Sequence, residues 1–321
     1  MMLAFVCPGQ GAQSPGYLHR LPSAPMVRDT LDEAGAALGL DVLQLDAEPA
    51  LQSTEAVQAG LVVAGVAMAR LLRSHGVEPD LVAGLSVGAF TAAVVAGVLD
   101  FADALRVVRL RGRSMAETLG SGWGMLAVGG LSQRALERLL AQHDASHAAP
   151  HAQLYLANLN APTQFVVAGE VVALDALARR ARDAGARQTE RLQVAVASHC
   201  PPLAPTADAL RRALAGVAQH APRPPVVGNV SARVLRDAPA VVRELADGVM
   251  RPVRWHDSQV AMVERGVRCI VELPPGRTLQ AQLRALPGEV TAIAACGATA
   301  SEVERRVRRA CAARGGDMDS S

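Results

Sequence analysis

Lysine is absent from this 321-residue sequence, and all 32 of its basic residues are arginine. Codon bias explains the swap, and it removes lysine as a Schiff base or general base. Aromatic residues are nearly as scarce, at 2%. A core with few large rings must be filled by alanine, valine and leucine, which exclude water only when helices and strands pack closely. An excess of one charge is also missing. The formal net charge is +2 with acids and bases interspersed, so there is neither a basic stripe with aromatic platforms for nucleic acid nor a charged interaction tail. Only five cysteines occur, at positions 7, 200, 269, 296 and 311, with no CxxC pair. That spacing argues against a disulfide framework or a zinc ribbon, implies no metal, and fits a reducing cytoplasm.

What is present is half hydrophobic and 19% charged, enough to bury a large core. Met1 to Val6 lacks a basic leading region and runs into Pro8-Gly9, so it does not read as a signal peptide. Leu81 to Leu99 carries no charge, but it contains Gly84, Ser86, Gly88, Thr91 and Gly97 and has no interfacial Trp or Tyr. A buried strand, a tight turn and a buried helix account for it better than a membrane span.

Short apolar runs alternate with amphipathic stretches, the pattern of an α/β fold with a mainly parallel sheet. Strands are expected at Leu3–Val6, Leu81–Ala83, Val226–Val227, Cys269–Glu272 and Val290–Ala292, and helices at Val57–Leu72, from the turn after Ala83 to Gly97, and at Phe101–Leu119, Leu203–Leu214, Ala240–Val249 and Ala300–Ala313. Between them, a β-α-β-β-α-β order suggests an inserted ferredoxin-like α+β subdomain. The division expected is a core of residues 1–122 and 195–314, a small subdomain of 123–194, and a disordered tail of 315–321.

The strongest chemical signal is Gly84-Leu85-Ser86-Val87-Gly88, a G-x-S-x-G turn between a strand and a helix. There the glycines permit a sharp turn that lifts Ser86 above the sheet, and the helix aims free amides at developing negative charge. A serine nucleophile needs a base, and eight histidines are available. His143, His147 and His151 read as residues of a surface loop, His19, His75 and His220 as residues near helix ends or in loops, and His256 as part of a polar turn after Trp255. His199 follows a strand and precedes Cys200-Pro201-Pro202, which places it at the active edge of the sheet. Gly9-Gln10-Gly11-Ala12-Gln13 ends the first strand, where its backbone can approach a reacting oxygen. A dinucleotide-binding reading fails because Ser14 stands where a third glycine is required. Arg111, with Arg106, Arg109 and Arg113 on the same helix, either snorkels to solvent or pairs with an anion.

In this order and spacing, the Gly9–Gln13 segment, the Ser86 turn, Arg111-Gly112-Arg113-Ser114-Met115 and Ser198-His199 resemble the malonyl-CoA:acyl-carrier-protein transacylases. The resemblance runs from Phe5 to about Arg284 and includes Asn160–Gln164, Asn229-Val230 and Pro252–Trp255. Ser86–Phe90 and Pro252-Val253-Arg254-Trp255-His256-Asp257 are most similar to the epsilon subunit of malonate decarboxylase. The resemblance implies a parallel-sheet, hydrolase-like core and a ping-pong transfer. Malonyl would pass from malonyl-CoA, a substrate rather than a bound cofactor, through a malonyl-serine ester to an acyl-carrier protein, with the malonate decarboxylase carrier subunit the first expectation and the carriers of fatty-acid or polyketide synthesis the alternative. It further implies Ser86 as nucleophile, His199 as base, the amides of Gln10 and Val87 as oxyanion hole, and Arg111 as holder of the malonyl carboxylate. Gln164 and the Gly248 carbonyl would play supporting parts. Leu85 replaces a common histidine, Gly248 replaces a common Asn or Gln, and Ser198 occupies a position linked to acyl size.

A hydrolase would instead need one of Asp100, Asp103, Asp144, Asp175 or Asp183 behind His199. A silent docking subunit would have lost Ser86 or His199, and both are present. An acidic carrier would approach an arginine rim, either Arg180, Arg182, Arg187 and Arg191 or Arg251 and Arg254.

Overall fold

The computed structural model describes residues 2–146, 153–283, 286 and 290–312. The large sheet has six strands: β1 (Met2–Cys7), β2 (Leu81–Gly84), β7 (Val226–Val227), β8 (Val234–Leu235), β9 (Val267–Glu272) and β10 (Thr291–Ala294), in the order β10-β9-β1-β2-β7-β8. All its pairings are parallel except β7 with β8. Along β1, Leu3, Phe5 and Cys7 enter one apolar cluster, and Ala4 and Val6 enter another on the opposite face. This is the two-residue period of a strand covered on both sides, and it explains why β1 is a continuous apolar run.

The covering helices are α1 (Pro25–Leu38), α2 (Thr54–Ser74), α3 (Gly88–Val95), α4 (Phe101–Leu119), α7 (Ala204–Ala215), α8 (Ala238–Asp247), α9 (Trp255–Glu264), α10 (Thr278–Leu283) and α11 (Ala300–Ala312). The uncharged Leu81–Leu99 stretch resolves into β2, the turn at Ser86 and α3, as expected. By length and composition, α2 alone among the described helices could cross a membrane, but 83% of its most apolar window is buried inside the fold. It is a core helix, held close by small residues: a Cβ on Gly65 would stand 2.6 Å from Thr91 of α3.

A second, four-stranded sheet has the order β4-β5-β3-β6, built from β3 (Trp123–Gly129), β4 (Leu154–Ala161), β5 (Gln164–Glu170) and β6 (Gln188–Arg191). Its pairings are antiparallel, and α5 (Gln133–Ser146) and α6 (Val171–Asp183) complete a ferredoxin-like order. The fold is therefore α/β, with a mainly parallel sheet and a separate, smaller antiparallel one.

Four details differ from the sequence reading. Trp255 and His256 open helix α9 rather than a polar turn, because α9 buries Ser258 and Gln259 beside Trp255 and Met262 and so breaks the apolar period. Helix α1 escapes periodicity for a similar reason, since its inward face includes Thr30 and Ala34. The short α10 carries only two buried leucines. His143 is buried in α5, not in a surface loop. His147, His151 and the 315–321 tail lie outside the described residues.

Phe5 is fully buried at the centre of the large sheet in a protein with few rings to refill the space. Phe5→Ala is expected to cost about 3–5 kcal/mol in urea unfolding. A loss below about 1 kcal/mol would show that the alanine-rich surroundings collapse onto the site.

Candidate active site

Chain crossing sets the site before any side chain does. The loop after β1 and the turn after β2 touch, with Leu85 N–H donating to the Cys7 carbonyl at 2.9 Å. A Cβ on Gly88 would lie 2.3 Å from the Cys7 oxygen, and one on Gly84 would lie 2.0 Å from the Gly88 carbonyl carbon. Glycine is the only residue that fits at either place. Between them Ser86 is forced to φ 55°, a left-handed conformation that projects its hydroxyl from the sheet edge. Asn229 holds the strained turn from below. Its Oδ1 accepts the Ser86 N–H at 2.8 Å, and its Nδ2 donates to the Gly84 carbonyl at 2.5 Å.

His199 meets Ser86 from 113 residues away: Ser86 Oγ–H donates to His199 Nε2 at 2.7 Å, and His199 Nδ1–H donates to the Gly248 carbonyl at 2.6 Å. The second bond selects the tautomer whose Nε2 lone pair faces the serine. His199 also has a left-handed backbone, φ 62°, fixed by its N–H donating to Val249 at 2.8 Å. Because a main-chain carbonyl orients the imidazole, Asp100, Asp103, Asp175 and Asp183 take no part; the Asp144 side chain lies outside the described residues.

Arg111 is the third member. Three arginines of α4 are ion-paired: Arg106 with Asp103 at 2.7 Å, and Arg109 and Arg113 with Glu55 at 2.7 and 3.2 Å. Arg111 lies on the buried stripe of α4 with Ala104, Val108 and Met115, is 2% exposed, and has no carboxylate within 4.0 Å among the described residues. Its Nη2 donates to Ser86 Oγ at 3.3 Å. Burial pushes its pKa down to about 10. Burial, then the Arg111 charge, lowers His199 from 6.5 to about 4. The pair is thus a neutral imidazole and an unneutralised guanidinium on one hydroxyl.

These groups line a pocket with about 410 Å³ of empty space, together with Ala89, Phe90, Asn229 and Leu245. Among the described residues, the backbone N–H groups of Gln10 and Val87 have no protein acceptor. Fully buried Gln58 steadies the first of these, its Nε2 donating to Gln10 Oε1 at 3.0 Å. Gln164 is not brought here: it sits exposed at the start of β5, opposite Gly129 and Ala161. Leu85 packs on the opposite side, against the apolar cluster that contains Trp255. Sequence reasoning noted Asn229 without a role and missed Gln58. Asn229 follows a two-residue strand, and Gln58 is a polar residue on an otherwise apolar helix, which was the available signal.

Two outcomes follow for the dyad. His199 accepts a proton only when neutral, and its lowered pKa keeps it neutral down to about pH 4. Acylation of Ser86 by an activated ester, followed by mass spectrometry, is therefore expected to fall to half near pH 4. A midpoint near the ordinary histidine value would show a solvated imidazole. Asn229→Ala is expected to slow the same acylation on the order of 10²-fold through misplacement of Ser86, with the thermal midpoint little changed. An unchanged rate would show that the glycine crossing alone holds the turn.

Comparison with known proteins agrees with this geometry. Residues 4–297 match the acyl transferase domain family. The chain is 36% identical over 297 residues to a malonyl CoA-acyl carrier protein transacylase of Escherichia coli O157:H7, covering 91% of this chain and 94% of the relative. It superposes with TM-score 0.88 and 34% identity on an acyl-carrier-protein S-malonyltransferase from Burkholderia pseudomallei 1710b, covering 95% and 99% of the two chains. It also superposes with TM-score 0.89 and 33% identity on a malonyl-transacylase in complex with its type II polyketide synthase acyl-carrier protein, covering 96% and 100%. With the dyad, the buried arginine and a match along nearly the whole sequence, the chain belongs to the malonyl-CoA:acyl-carrier-protein transacylase family of acyltransferases.

Proposed function

We propose that the protein transfers a malonyl group from malonyl-CoA to the pantetheine thiol of an acyl-carrier protein through a malonyl ester of Ser86. The observation that carries this reading is the Arg111 guanidinium, buried and without a carboxylate partner among the described residues, 3.3 Å from Ser86 Oγ. A buried unpaired charge is destabilising on its own account, and a carboxylate arriving in bidentate geometry offsets that cost. A neutral acyl group would leave the charge uncompensated.

The steps use groups already in place. With the malonyl carboxylate on Arg111, the Ser86 proton passes to His199 Nε2 as Oγ bonds to the thioester carbon. The carbonyl oxygen gains negative charge facing the Gln10 and Val87 amides, each worth roughly 3–4 kcal/mol at the transition state. The C–S bond then breaks, and His199 returns the proton to the coenzyme A sulfur. In the second half the carrier thiol gives its proton to His199 and attacks the ester. The C–Oγ bond breaks and Ser86 recovers the proton. The Gly248 carbonyl steadies the imidazolium in both halves. The carboxylate also offsets the Arg111 charge that lowers the His199 pKa, so the base strengthens once substrate is seated.

The acceptor we favour is a carrier of the fatty-acid or polyketide type, which the relatives support over the malonate decarboxylase carrier first expected. The Ser86–Phe90 and Pro252–Asp257 segments keep the latter as a second reading. We take 1–122 with 195–314 as core and 123–194 as subdomain, and we place the carrier on the Arg251 side of the pocket mouth. Arg254 is already neutralised by Asp257 at 2.7 Å, and Arg191 lies 3.3 Å from Asp175. All five cysteines are free thiols, which suits a cytoplasmic reaction.

Intact mass after incubation with malonyl-CoA is expected to show a malonyl adduct on the parent and none on Ser86→Ala, with little adduct from acetyl-CoA. Coenzyme A release without an adduct would make the protein a hydrolase. Arg111→Ala is expected to lower kcat/KM for malonyl-CoA on the order of 10²-fold and leave acetyl transfer within a few-fold, with Arg111→Lys recovering only part. Equal losses on both donors would remove Arg111 as the selector. The kcat/KM ratio for the two types of carrier decides between the acceptors.

A further inference from the structure

Helix α8 reaches both members of the dyad through intermediate residues. Its carboxylates Glu244 and Asp247 are three positions apart, about 4.5 Å along the helix axis. Glu244 and the neighbouring Leu245 line the catalytic pocket. Neither carboxylate hydrogen-bonds Ser86 or His199; each grips a residue that does.

Glu244 holds the loop that supports the nucleophile. Its Oε2 accepts the Val230 N–H at 2.8 Å and its Oε1 accepts the Ser231 N–H at 2.9 Å, so one carboxylate grips two successive amides directly after Asn229. Charge-assisted bonds of this kind are stronger than neutral ones. The approach requires Gly228, where a Cβ would stand 2.6 Å from the Glu244 carboxyl carbon. From α9, Ser258 Oγ–H donates to the Gly228 carbonyl at 3.0 Å, and the Arg254 N–H donates to the Asn229 carbonyl at 2.8 Å. Asn229 is thus held on both flanks, and it is the residue that fixes the Ser86 N–H.

Asp247 acts at the base. It precedes Gly248, whose carbonyl accepts His199 Nδ1–H, and Val249, whose carbonyl accepts the His199 N–H. Gly248 has no side chain to fix its peptide, and glycine is the most permissive residue. Its position therefore rests on its neighbours. Gly248 N–H donates to the Glu244 carbonyl at 2.9 Å, and Met250 N–H donates to the Asp247 carbonyl at 3.1 Å. From α7, Arg211 Nε and Nη2 both donate to Asp247 Oδ1, at 3.1 and 2.6 Å, while Nη1 donates to Asp208. The planar guanidinium ties the end of α8 to α7 in a fixed direction. The two side chains are 42% and 18% exposed, and an ion pair in such a place adds little to stability. What it fixes is position.

We propose that Glu244 and Asp247 are positioning residues that set the separation of Ser86 Oγ and His199 Nε2. Glu244 acts through Asn229, and Asp247, braced by Arg211, acts through the Gly248 carbonyl. One helix then carries both supports, and the 2.7 Å contact between segments 113 residues apart follows from a single rigid turn. The inference rests on the reading of Ser86 and His199 as nucleophile and base.

The variants Glu244→Gln and Asp247→Asn keep side-chain size and remove the charge. Each is expected to slow acylation of Ser86 by p-nitrophenyl acetate, a neutral ester that makes no use of Arg111, about tenfold, with the thermal midpoint little changed. In a His199→Ala background, Asp247→Asn is expected to alter the residual rate by less than about twofold, and Glu244→Gln likewise in an Asn229→Ala background. Each support then has nothing to act through. Ring-nitrogen NMR of the resting protein reads the base directly, with the His199 signal identified by its loss in His199→Ala. The parent and Glu244→Gln should show the Nδ1–H tautomer, and Asp247→Asn and Arg211→Gln a mixture of tautomers. An unchanged acylation rate in either variant overturns the proposal. Equal slowing in the parent and in the matching background does so too, because the carboxylate then acts on the fold as a whole. A single tautomer in every variant removes the part of Asp247. A parent that is not acylated at Ser86, yet changes tautomer with Asp247→Asn, would keep the support of His199 and retire Ser86 as nucleophile.

Discussion

The rest of the site depends on the backbone crossing between the β1 loop and the β2 turn. Cys7 presents its carbonyl to Leu85 N–H, and Gly84 and Gly88 leave no room for a Cβ on either side. The crossing fixes three features together: the left-handed backbone of Ser86, the start of α3 directly beyond it, and the close approach of Gly9 to Leu85 and Ser86. A residue with φ 55° carries strain of order 1–3 kcal/mol, which persists only where the surroundings over-determine it. Here the surroundings are backbone carbonyls and the amide of one buried side chain, Asn229, so the position of Ser86 rests on the crossing and on that single amide.

Arg111 and His199 oppose each other electrostatically in the resting protein. Burial disfavours the charged form of each, and the guanidinium holds the imidazole neutral. In the proposed reaction the anion it lacks would be the malonyl carboxylate, the part of the substrate that does not react, and its binding energy would seat the thioester against Ser86. The left-handed His199 and the Gly248 carbonyl give the imidazole the support that a carboxylate gives in many serine enzymes, without adding a second negative charge near the substrate.

Much of this was legible in the residues. Helix Phe101–Leu119 and strand Val226–Val227 agree with expectation residue for residue, because sharp breakers bound a clear period. Helices α1 and α9 were not legible, since Thr30, Ala34, Ser258 and Gln259 take inward positions that a hydrophobic pattern assigns to leucine or valine. Ser86, His199, Arg111 and the Gly248 carbonyl are brought together, while Gln164 stays on the surface of the smaller sheet. Adjacency to a motif in the chain says nothing about which way a strand end points.

The sequence alone determined the alternation of strands and helices, the inserted β-α-β-β-α-β unit, the strained serine turn and the presence of a base and an arginine at suitable places. Each of these follows from short-range rules: the period of a strand or helix, and the exclusion of any Cβ from a tight turn. The tertiary structure alone decided that Arg111 has no carboxylate partner among the described residues while Arg109 and Arg113 share Glu55, that Asn229 supports the turn, and that the arginines of α11 face a cleft. These outcomes turn on which groups from distant segments come within about 3 Å, as Ser86 and Asn229 do across 143 residues. No local pattern encodes that approach, because it is set by the packing of the whole sheet.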